Sequence, residues 1–110
     1  MHQRLDKPWI ELTGETAARL PGQLGVYQIA DASGRIVKIG TGDARQPFGL
    51  RSALQAELAT LGPGHRFRVE INQMYRTRWA ELLMVHRADH GELPSGNAAD
   101  GARLGVLSPS

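Results

Sequence analysis

The chain has 110 residues, 41% of them apolar, with a formal net charge of +2. This length predicts one domain around a single core, and the apolar fraction is too high for a disordered chain. No apolar run approaches the roughly 18 residues of a membrane span, the N-terminus lacks a signal-peptide segment, and the absence of cysteine excludes disulfides and thiolate metal sites; a cytoplasmic protein with no membrane association is expected.

In chain order, "PWIEL" reads as a short edge strand and "TGETAARL" as a short helix from Thr13, ended by Pro21-Gly22. "GVYQIAD" and "RIVKIG" are two β-branched strands joined by a turn containing Ser33-Gly34. A glycine- and proline-broken loop, "TGDARQPFG", leads into the helix "LRSALQAELATLG". There Leu50, Ala53, Leu54, Leu58 and Leu61 share one face, and Gly62-Pro63-Gly64 stops it. "RFRVEIN" alternates strictly, with Phe67, Val69 and Ile71 on one side and Arg66, Arg68 and Glu70 on the other. A second long helix, "RTRWAELLMVHRADHG", stops at Gly91. The expected fold is a small α+β layer: a mostly antiparallel three-stranded sheet flanked by helices. Residues 1–20 form an N-terminal extension, 21–97 the domain and 98–110 a flexible tail.

Certain residues exceed what a plain hairpin needs. Gly25 precedes Tyr27, and Lys38 precedes Gly40, so an aromatic hydroxyl and an ammonium stand between glycines. A two-residue hairpin loop would put Tyr27 and Lys38 on one face, and an odd-length loop with a glycine bulge at Gly34 would put them on opposite faces. "DASG" permits both. The basic residues are mostly arginine, with Lys7 and Lys38 the sole lysines. A guanidinium fork suits phosphate oxygens, although a GC-rich genome produces the same bias.

"GVY" at Gly25–Tyr27, "KIG" at Lys38–Gly40, "GLRSAL" around Arg51, and "AELLMVHRADHGELPSGN" with Glu81 and Asn97 occur in that order. In these motifs the chain resembles the GIY-YIG nuclease family. The resemblance implies a metal-dependent endonuclease that hydrolyses DNA phosphodiesters, RNA not being excluded. By it, Arg51 is the catalytic arginine and Glu81 the ligand of one divalent cation, Mg²⁺ or Mn²⁺. Gly25, Gly40, His86 and Asn97 support the site, and a homodimer would let so small a unit cut both strands.

The chemistry leaves alternatives open. Tyr27 needs a lowered pKa to act as a base near neutral pH, which a neighbouring Lys38 ammonium would provide. Because Lys38 stands where the family pattern has a second tyrosine, the base is either Tyr27 or Lys38. Gln55 takes the place of a histidine found in many members. Arg45, Arg66, Arg68, Arg76 and Arg78 are candidate backbone contacts, which would make binding salt-dependent. Glu81 could instead be an ordinary helix carboxylate paired with Arg78 or Arg76. His86 and His90 share a helix face, but no third metal ligand is evident. The rival readings are a nucleic-acid-binding module without turnover and a protein-interaction domain.

Overall fold

The computed structural model describes residues 4–101. Strands β1 (Ile10–Glu11), β2 (Gly25–Ala30), β3 (Ile36–Gly42) and β4 (Arg66–Ile71) form one antiparallel sheet in the order β1-β4-β2-β3. The α+β class is as expected, but the sheet has four strands rather than three. The additional strand is β1, which pairs Ile10 with Phe67 and Glu11 with Arg66. Two residues are too few to show an alternating pattern in sequence.

Helices α1 (Gly14–Ala18), α2 (Gly49–Leu61) and α3 (Tyr75–His90) complete the fold. The Thr13 hydroxyl caps α1, while Thr16 returns a bond to the Thr13 backbone, so two orphan N–H groups are satisfied. Helix α3 ends at Gly91, whose φ of 81° is open to glycine at little cost.

The sheet separates two apolar cores. Leu12, Ala17, Tyr27, Ile29, Leu50, Leu54 and Phe67 pack where α1 and α2 cover one face. Leu5, Val26, Ile39, Leu82 and Leu83 pack where α3 covers the other. Full burial of each large aliphatic side chain contributes on the order of 2 kcal/mol. Leu5, Leu12, Ala17 and Leu20 are all buried, so the segment expected as an extension contributes to both cores. A 3-10 turn at Ser95–Asp100 lies against β3. The expected flexible tail, 98–110, thus begins inside an ordered turn, and its residues 102–110 lie outside the described residues. Among the described residues, no helix is long and apolar enough to cross a membrane.

The β2–β3 hairpin decides where the chemistry sits. Its turn closes between Asp31 and Arg35, with Gly34 at φ 90°, leaving an odd number of loop residues. Alone, that loop would send Tyr27 and Lys38 to opposite faces. However, Ala30 pairs with Ile36 while Ile29 pairs with Lys38, so Val37 is an extra, bulged residue. The bulge offsets the odd loop and restores Lys38 to the face of Ile29 and Tyr27.

Candidate functional site

A cleft of about 420 Å³ opens beside the edge strand β3. Tyr27 from β2 and Lys38, Gly40 and Thr41 from β3 line one part of it. Asp43, Arg45 and Gln46 from the following loop line another. Tyr75, Arg76, Trp79 and Ala80 from the first turns of α3 close the third. Its position follows from the topology, because β3 has no strand beyond it and α3 crosses the opposite face.

Gly40 answers for one of the glycines. A Cβ there would overlap the Tyr27 ring, so glycine lets the phenol lie across β3 toward its free edge. The Tyr27 hydroxyl then donates to the Glu57 carboxylate on α2. The same carboxylate oxygen lies 2.9 Å from Lys38 Nζ. Glu57 is largely buried, with its side chain 10% exposed, whereas the Lys38 side chain is 36% exposed. One sequestered carboxylate therefore fixes a phenol and an ammonium, and the ammonium still faces the cleft.

This arrangement overturns one sequence expectation. Lys38 was to lower the Tyr27 pKa, but burial pushes it up, and the Glu57 charge and hydrogen bond push it further. Tyr27 is a neutral hydrogen-bond donor here. The adjoining loop is ordered by Asp43, which accepts from the Arg45 backbone at 3.0 Å and from Arg45 Nη2 at 2.9 Å, while Gln46 Oε1 accepts from the Asp43 N–H. The bonds from Arg45 outweigh burial and hold the Asp43 pKa below the ordinary carboxylate value.

The other expected site residues are dispersed. Arg51 donates through Nε to the Leu20 carbonyl at 2.8 Å and lies over the Phe48 ring, tying α2 to the end of α1 instead of reaching the cleft. Glu81 accepts from Arg78, which also donates to Glu70 at 2.9 and 3.2 Å. Helix geometry explains the separation. Tyr75, Arg76, Trp79 and Ala80 form the cleft face of α3, while Glu81 follows Ala80 by about 100°. The expected convergence of Tyr27, Lys38, Arg51 and Glu81 is thus replaced by a Tyr27–Glu57–Lys38 cluster.

Among the candidate backbone contacts, Arg45 and Arg76 line the cleft. Arg68 instead bonds Gln28 and the Lys7 carbonyl and lies over Trp9, 4.1 Å from its centroid. Arg66 is exposed on β4, the strand beyond β2 from the cleft edge. Arg78 is bound to its two carboxylates. His86 is buried against His90, with ring centroids 4.4 Å apart, and burial lowers its pKa. Asn97 clamps the edge strand: its side chain accepts from the Ile39 N–H and donates to the Ile39 carbonyl, each at 2.8 Å. Gly25 has a packing role, since a Cβ there would strike the Glu70 carbonyl.

These positions do not fit a bound Mg²⁺ or Mn²⁺. Glu81, the expected ligand, is ion-paired outside the cleft. No group of three or more His, Asp or Glu side chains among the described residues is placed to hold a metal. Hard cations require several oxygen ligands, and the carboxylates at or beside the cleft, Asp43 and Glu57, are already matched by cations.

Sequence reading missed Glu57, Asp43, Tyr75 and Trp79 as site residues. Glu57 carried a usable signal. It falls seven residues after Leu50 and three after Leu54, on the apolar stripe of α2, where a carboxylate needs a partner. Tyr75 and Trp79 are four apart on α3, a spacing that equally marks ordinary core packing.

No curated protein and no solved structure matches the chain. A family model, described as a domain of unknown function (DUF7508), matches residues 3–89. That finding corrects the GIY-YIG assignment: its short motifs are not the match, and Gly25 and Gly40 are accounted for by local packing. The matched span covers most of the sequence, including the β2–β3 hairpin, α2 and nearly all of α3, and the chain belongs to the DUF7508 family.

Proposed function

We propose that the β3-edge cleft binds the phosphodiester backbone of DNA and that the protein is a nucleic-acid-binding module. The observation that supports this reading is the convergence of Lys38, Arg45 and Arg76, from a strand, a loop and a helix, on one cleft walled by Tyr75 and Trp79. Cations position an anionic backbone without reading its sequence. Two of them already hold carboxylates, Lys38 with Glu57 and Arg45 with Asp43, so a phosphate shares them instead of meeting bare charge. Modest affinity with strong salt dependence follows. For three phosphates neutralised, log K falls with log salt at a slope of about −3.

Phosphodiester hydrolysis is the second reading, favoured by the meeting of a phenol, an ammonium and a carboxylate beside the cleft. The divalent cation expected of such an enzyme has no fitted site among the described residues. Mobility shifts of a duplex at low and moderate salt test the binding reading: retardation that disappears with salt supports it, and no retardation at low salt refutes it. Nicking of supercoiled plasmid with Mg²⁺ or Mn²⁺, lost in Lys38→Ala, would establish turnover. Nicking equal in wild type and Lys38→Ala would remove the second reading.

A further inference from the structure

We infer that the cleft takes an unpaired nucleotide of single-stranded DNA, its base against Tyr75 and its phosphate at Lys38 and Arg45; this inference rests on the backbone-binding reading. Cations alone would serve a duplex equally well. What distinguishes this cleft is that one wall is aromatic and fixed. Trp79 Nε1 donates to the Ile39 carbonyl at 3.0 Å, which ties the indole to β3. Tyr75 is half-buried against the α3-side core, and the Arg76 guanidinium lies 5.8 Å from its ring centroid.

The aromatic and cationic walls face a shared concavity. A ligand using both must carry a flat apolar surface and a negative charge within a short distance. A nucleotide has that form, but in a duplex its base faces are covered by the neighbouring pairs. A volume of about 420 Å³ is of the size that takes a small ligand, so a duplex presents only its backbone to the cleft mouth. The ring positions are set before binding, by the core and by the Ile39 carbonyl, so little ordering cost falls on association. The Tyr75 ring and the Arg76 guanidinium, adjacent on this wall, are planar groups of the kind a base stacks on.

The test measures fluorescence anisotropy of three labelled probes at equal ionic strength. They are an oligothymidylate of about twelve nucleotides, within the span of single-strand-binding grooves; an abasic strand of the same length; and a hairpin duplex. The oligothymidylate should bind on the order of tenfold more tightly than the other two. Tyr75→Leu should erase that margin, bringing oligothymidylate affinity down to that of the abasic strand, and a circular-dichroism melt confirms its fold. Equal affinity of wild type for all three probes overturns the stacking inference and leaves the backbone reading intact. Binding of none overturns both. Because the wild-type comparison alone decides between these outcomes, the test holds even if Tyr75→Leu does not fold.

Discussion

Two charge clusters flank the sheet and are built in opposite senses. Beside the cleft, one carboxylate, Glu57, serves two donors, Tyr27 and Lys38. On the α3 side, one guanidinium, Arg78, serves two carboxylates, Glu70 and Glu81. The Arg78 side chain is only 9% exposed and joins β4 to α3. In the Glu57 cluster the buried member is the anion, and the cation faces solvent in a concavity. Burial of the cation makes a structural tie, whereas burial of the anion leaves a positive charge at a surface where a phosphate can reach it. The contrast explains why Glu81, the more conspicuous carboxylate in sequence, is the less useful one in space.

Removing the hub of the closed cluster should have the largest effect. Arg78→Leu removes the charge-assisted bonds to the partly exposed Glu70 and Glu81 and should lower unfolding stability by about 2 kcal/mol, read by urea denaturation. DNA affinity should be unchanged where the variant is folded. Tyr27→Phe removes one donor from Glu57 and should cost about 1–2 kcal/mol by the same measurement. Glu57→Gln keeps an acceptor for both Tyr27 and Lys38 but deletes the negative charge. It should raise duplex affinity several-fold in an anisotropy titration, whereas Glu81→Gln should change it by less than about twofold. A Glu81→Gln effect matching that of Glu57→Gln would dissolve the distinction between the clusters.

The smallest expected effect concerns acid. Burial, then the His90 charge, holds the His86 pKa below its ordinary value of 6.5, while Asp89 and Glu92 oppose this and Arg35 adds to it. As pH falls below about 6.5, the unfolded chain binds the proton first. The stability is therefore complete above that pH and is lost as pH falls through the depressed folded value. His86→Phe should flatten the pH dependence of the melting temperature over that window.

Much of the fold was legible because its elements are long and periodic. The α2 stripe from Leu50 to Leu61, the alternation of Arg66 to Ile71 and the stop at Gly91 each encode their own geometry. Strand β1 was legible as a short edge strand in "PWIEL", but its place as a fourth strand of the sheet was not, since that depends on pairing with Phe67 and Arg66. The face shared by Tyr27 and Lys38 rested on the bulge at Val37, which packs by its carbonyl against Gly96, a residue far along the chain. No local pattern announces such a bulge. Of the expected site, Tyr27, Lys38, Arg45 and Arg76 do meet at one cleft. Arg51 does not, because its guanidinium is taken up by the Leu20 carbonyl just past the end of α1. Sequence order places motifs along a chain, but competition for partners decides which of them reach the cleft.

The central claim is that positive charge at the β3 edge, and not arginine content at large, holds DNA. Its most direct test is the slope of log K against log salt for wild type, Arg76→Ala and Arg35→Ala, the last altering an exposed arginine paired with Glu92 at the hairpin turn. The account predicts that Arg76→Ala lowers the magnitude of the slope by about one while Arg35→Ala leaves it unchanged. Equal slopes for all three proteins, or the same reduction in both variants, would contradict it.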